Sequence, residues 1–96
     1  MHDGTTVLGF LLMADLHLQI VTQQTTVFDE DVTAVTLPGE DGSLGILAKH
    51  APIVTVLKEG KVTIRQGSRI REYTIGGGFL EMSNNSATLL ADWLKE

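Results

Sequence analysis

The chain has 96 residues, 12 Asp and Glu against 7 Lys and Arg, a net charge of −5 and no cysteine. That length makes one small domain, able to bury roughly 60 to 65% of its unfolded surface. The acidic balance, with no basic stripe, argues against an electrostatic grip on nucleic acid or anionic lipid, and the missing thiols exclude cysteine catalysis and Cys-ligated metals. Residues 1–12 open the chain with an apolar run, Val7, Leu8, Gly9, Phe10, Leu11 and Leu12. The run is too short to span a bilayer, and Asp3 stands where a signal peptide carries basic residues. It reads as an N-terminal extension ahead of a natural start at Met13, with an extra edge strand or an oligomer contact as the alternatives, and residues 13–96 as the domain.

From Leu16 the pattern has period two: Leu16, Leu18 and Ile20 face one way, His17, Gln19 and Val21 the other, as a half-buried strand requires. Thr25 to Phe28 is a second β-prone piece, Asp29, Glu30 and Asp31 are expected to turn the chain, and residues 32–37 form a third strand. Residues 37–52 then set a turn, a short strand and a second turn. Pro38, which lacks an amide donor, is expected to end the strand, Gly39 and Gly42 permit reversal, Leu44, Ile46 and Leu47 anchor the short strand, and Ala51 and Pro52 mark the second break.

Residues 53–57 are β-branched and apolar on both alternations, more than one buried face needs. Lys58, Glu59 and Gly60 are expected to turn into residues 61–66, with Val62 and Ile64 inward, and Gly67 with Ser68 to make a hairpin turn. Residues 70–75 come next, then Gly76, Gly77 and Gly78, then residues 79–82. Asn84 and Asn85 tolerate the left-handed conformation and suit a two-residue hairpin loop before residues 86–90. About ten short strands and no convincing helix predict an all-β fold, a small antiparallel sandwich or flattened barrel.

Three features invite a chemical reading. Ser43, His50 and Asp41 are the residue types of a hydrolase triad, but no Gly-x-Ser-x-Gly elbow surrounds Ser43. The three glycines lack the Lys-Ser/Thr pair and helix start of a phosphate cradle, so they read as a tight bend with close backbone approach. The acidic groups at 29–31 and 40–41 lack the ligand loop of an EF-hand and read as solvated turns. No catalytic, cofactor or metal site emerges from the residues, and by themselves they support a small acidic sandwich that binds partners.

The order Thr36 to Ile46, followed by His50, Ala51 and Pro52, resembles the signature of the epsilon subunit of F-type ATP synthases. Further matches are Leu16 to Val21, Val27 to Asp29, Val62, Ile64 and Arg65, Gly77 to Glu81, and Thr88 to Asp92. Ser43 stands where that family commonly has glutamate, and Ala48 with Lys49 replaces its usual Pro-Gly. The resemblance implies a non-catalytic rotor subunit that packs one sheet face on the gamma subunit and rests loops on the c-ring, peripheral to the cytoplasmic face of a bacterial inner membrane and without cofactors. A free-standing binding module unrelated to the synthase is the alternative. The resemblance places the loops Glu40, Asp41, Gly42, Ser43 and Lys49, His50 toward the c-ring, both at one end of the sandwich. In the family the segment after Ala-Asp continues into two helices that restrain rotation and in some members bind ATP. Here four residues come after Asp92: the chain is either naturally short or lacks a remainder that was removed, and with Glu96 as the true end the expectation is coupling without ATP-sensitive inhibition.

Overall fold

The computed structural model describes residues 15–96, all of whose regular elements are strands. The expectation for residues 1–12 lies outside the described residues. In chain order the strands are β1 (Leu16–Val21), β2 (Thr26–Val32), β3 (Ala34–Gly39), β4 (Gly42–Leu47), β5 (Ile53–Gln66), β6 (Arg69–Ser83), β7 (Ser86–Ala91) and β8 (Leu94–Lys95). They form one sheet in the order β2-β1-β7-β6-β5-β3-β4, with β8 on β6. Every pairing is antiparallel except β1 with β7.

The sheet becomes a sandwich because β5 and β6 are long enough to belong to both layers. Their ladder runs from Ile53↔Met82 to Gln66↔Arg69 and is interrupted between Leu57↔Gly78 and Glu59↔Gly76. At that break Gly77 has φ +99, and an added Cβ at Gly78 would stand 2.1 Å from the Leu90 carbonyl oxygen. Glycine there lets β6 fold over while staying hydrogen-bonded to β7. One layer holds β2, β1, β7, residues 78–83 of β6 and residues 53–57 of β5; the other holds β4, β3, the remaining parts of β5 and β6, and β8. Leu18, Ile20, Leu80, Leu89, Val62, Ile64 and Ile75, all without exposed surface, form the core between them.

Local turn signals are overridden at three places by what lies across the sheet. Lys58, Glu59 and Gly60 do not end a strand: β5 passes through them, and Gly60 serves for close approach, since a Cβ there would lie 2.8 Å from Pro38 Cβ. The described residues hold eight strands, close to the expected count of about ten. Pro38 sits inside β3, opposite Ser43, at the irregularity between Thr36 and Gly39 where the β5 ladder asks for no donor.

Asp29, Glu30 and Asp31 lie within β2, an edge strand. Glu30 shares the core-facing side with Phe28 and Val32 yet stays exposed at the open flank of the sandwich. There it accepts a hydrogen bond from Gln66 Nε2 at 2.9 Å and lies 3.9 Å from Arg71. Arg71 covers the Phe28 and Tyr73 rings at 5.4 and 5.5 Å and donates to the Tyr73 hydroxyl, whose proton burial makes harder to remove. A charge on the inner side of an edge strand also discourages edge-to-edge aggregation.

The hairpin loops obey their residues. Asn84 and Asn85 have φ 52 and 60 and join Ser83 to Ser86, and Gly67 has φ 64. Lys49 adopts φ 63, the conformation its glycine counterpart would take freely. Its amide donates to Asn85 Oδ1 at 2.7 Å, so the strained residue is also tied down. Lys49→Gly removes the strain at some cost in unfolded-chain entropy, and should stabilise the domain by about 0.5 kcal/mol, a rise of a few degrees in a thermal melt. A lower melting temperature would show that the lysine side chain holds the loop.

Candidate functional site

The apolar excess at residues 53–57 has a structural outcome. Ile53, Thr55 and Leu57 point into the sandwich, while Val54 and Val56 lie outside, 61% and 47% exposed. Register aligns Val56 with Phe79, Phe79 with Leu90, and Leu90 with Val21. Phe79 and Leu90 are 42% and 46% exposed. Four neighbouring strands thus carry one apolar row, about 14 Å wide at the usual strand spacing. The next row reads Val54, Glu81, Thr88 and Gln19, so polar groups border the patch on one side. An exposed contiguous apolar surface with a polar rim is what a protein partner covers.

Phe79, Leu90 and Val21 are the members that sequence reasoning misses, and one signal would find two of them. Once Asn84 and Asn85 are accepted as a two-residue loop, counting back from Ser83↔Ser86 pairs Phe79 with Leu90.

The six loop residues fall into two groups. Glu40 and Asp41 form the tip of the β3–β4 hairpin, closed by Gly39↔Gly42, and Gly42 and Ser43 begin β4. With Gly39, Leu44 and Thr55 they line a cleft of about 250 Å³. Lys49 and His50 come after the other end of β4. The His50 amide donates to the Leu47 carbonyl at 3.1 Å, and its Nδ1 lies 2.7 Å from the Ala51 carbonyl. Asn85 joins this loop to the start of β1, accepting from Lys49 and donating to the Asp15 carbonyl at 2.9 Å. A strand of six residues spans roughly 17 Å. The two loops therefore stand at opposite ends of β4, which corrects the expectation that they share one end: loops flanking a single extended strand are held apart by it.

The same separation dissolves the triad. Ser43 and Asp41 belong to one end of β4 and His50 to the other, with its Nδ1 engaged by backbone. No group of three His, Cys, Asp or Glu side chains among the described residues is arranged to hold a metal ion. The described residues form a two-layer β-sandwich whose distinctive surface is an uncharged apolar row.

Residues 15–95 match the family described as the ATP synthase delta/epsilon chain, beta-sandwich domain. The chain belongs to that family. It is 45% identical over 75 residues to the ATP synthase epsilon chain of Desulforamulus reducens, covering 78% of this chain and 57% of that one. Against the epsilon chain of Caulobacter vibrioides it is 40% identical over 80 residues, covering 83% and 93%. Among solved structures, a chain of the Euglena gracilis mitochondrial ATP synthase (OSCP/F1/c-ring) superposes with a TM-score of 0.81 at 25% identity, over 85% of this chain and 53% of that one. A chain of the Tetrahymena thermophila central stalk and c-ring has the same fold, with a TM-score of 0.74 at 20% identity. The chain thus spans little more than half the length of several relatives and nearly all of another.

Proposed function

We propose that this domain is the sandwich of a rotor subunit in a rotary ATP synthase, joining the gamma subunit to the c-ring so that ion flow turns both together. The observation that carries the reading is the in-register row Val21, Leu90, Phe79 and Val56, an apolar face exposed at the last three and half-buried at Val21, in a chain of the epsilon family. Burial of such a row stabilises a complex by excluding water from it, at about 25 cal/mol per Å² before the costs of association. Gamma is the partner assigned to this face. No helix of the described residues is long and apolar enough to cross a membrane, and on this reading the domain reaches the cytoplasmic membrane face through the complex.

The c-ring contact falls to the Glu40–Asp41 hairpin with Gly42 and Ser43. This tip projects beyond the last β3–β5 pairing, whereas Lys49 and His50 lie in a loop already committed to Asn85. Because β4 holds the loops apart, one cross-linking site should succeed and the other fail. In the assembled enzyme, Ser43→Cys should form a cross-link to a cysteine in the polar loop of a c subunit, and His50→Cys should not. Efficient cross-linking from His50→Cys, with none from Ser43→Cys, would invert the orientation.

A further inference from the structure

His17 sits on β1 directly opposite Asp31 of the edge strand β2, and one pleat from Asp29, which pairs with Gln19. Its Nδ1 meets Asp31 Oδ1 at 2.8 Å, and its Nε2 meets Asp29 Oδ1. Carboxylates only accept hydrogen bonds, and a neutral imidazole has one N–H to give. Both contacts are satisfied together only by the imidazolium. Without its second proton, the ring turns a lone pair toward one carboxylate, and Asp29 and Asp31 repel across it.

Among the described residues, the strands around it offer no substitute cation. β1, β2 and β7 contain no Lys or Arg. On the β7 side His17 faces Ser86, with Thr88 beyond it opposite Gln19 and Glu81 of β6 opposite Thr88. Asp15 precedes it on the same alternation of the chain, and the His17 amide is held by the Asn85 carbonyl at 3.1 Å. The charged groups on this face are thus Asp15, Asp29, Asp31 and Glu81, while Glu30 projects to the other side of β2 toward Arg71. Among the described residues β2 has a ladder partner on one side only, so its backbone pairing runs entirely to β1, while Gln66 and Arg71 hold Glu30 on its inner side.

We infer that His17, Asp29 and Asp31 form a proton-dependent clasp that fastens the edge strand β2 to β1, closed with the imidazole protonated and loosened when it is neutral. The two carboxylates, through hydrogen bonds to Asp31 and Asp29 first, raise the His17 pKa above its ordinary 6.5. A group whose pKa is raised on folding adds stability that is fully present below 6.5 and lost as pH rises through the folded value. The clasp therefore opens on the alkaline side, and its effect is local, at an exposed edge.

The experiment tracks the imidazole resonances of the full chain by NMR from pH 5 to 9, together with amide exchange corrected for its intrinsic pH dependence. His17 should titrate above 6.5, and Asp29→Asn with Asp31→Asn should return it toward 6.5. Protection of β2 amides relative to those of β6 should fall about fivefold across the titration, and in His17→Gln this pH dependence should vanish. Titration of His17 at or below 6.5, or equal pH dependence of β2 protection in the parent and His17→Gln, would overturn the inference.

Discussion

Gly78→Ala should destabilise the domain by about 3 kcal/mol or more, lowering the melting temperature of a chain this size by roughly 12 to 24 °C. The added methyl would meet the Leu90 carbonyl oxygen at 2.1 Å and Ala91 Cα at 3.0 Å. These are backbone atoms of the strand that Gly78 is paired with, so relief requires opening the β6–β7 ladder at Gly78↔Ala91. The neighbouring Gly76 is a weaker case, because a Cβ there meets the half-exposed Trp93 indole, which can swing away. Gly45→Ala is the control: nothing lies within 4 Å of its Cβ position, and the change should stay within about 0.5 kcal/mol of neutral. Equal melting temperatures for Gly78→Ala and Gly45→Ala would show that the fold-over does not depend on close approach at Gly78.

The second large effect concerns association. Val56→Asp with Phe79→Asp places two carboxylates in the middle of the apolar row. If the row is the gamma-binding face, each position is a buried anchor worth about 2 kcal/mol or more, and each loss weakens binding roughly 30-fold before the cost of desolvating the new charges. Both side chains point to solvent in the free domain, so its melting temperature should move by no more than a few degrees. That combination, a folded domain that no longer binds, separates an interface role from a structural one. Unchanged gamma affinity would remove the row from the interface.

Much of the fold is legible where one face is buried and the turn residues are unambiguous. The alternation of Leu16, Leu18 and Ile20 reads directly as β1, whose burial has the same period, and Asn84 with Asn85 specify the hairpin they form. The failures share one cause. Asp29 to Asp31, Pro38, and Lys58 to Gly60 are turn-like in isolation, but their neighbours across the sheet supply what extended backbone needs: a histidine and an arginine for the acids, a ladder irregularity for the proline, and a proline ring packed on the glycine. Composition cannot show a partner that is distant in sequence.

The candidate site is half visible for the same reason. Residues 53–57 announce an unneeded second apolar face, but its continuation through Phe79, Leu90 and Val21 depends on three registers, and β1 with β7 pairs in parallel across almost the whole length of the described chain. Closeness in sequence suggests one shared end for the two loops near β4, and an extended strand makes such neighbours distant in space. The clasp at His17 is invisible without the β1–β2 register that brings Asp29 and Asp31 to one ring.

Whether the apolar face of this sandwich binds gamma is decided by size-exclusion chromatography of the chain mixed with its cognate gamma subunit at micromolar concentration. The parent chain should elute with gamma in a single 1:1 peak. Separate elution of the two proteins at that concentration would contradict the assignment of gamma to this face.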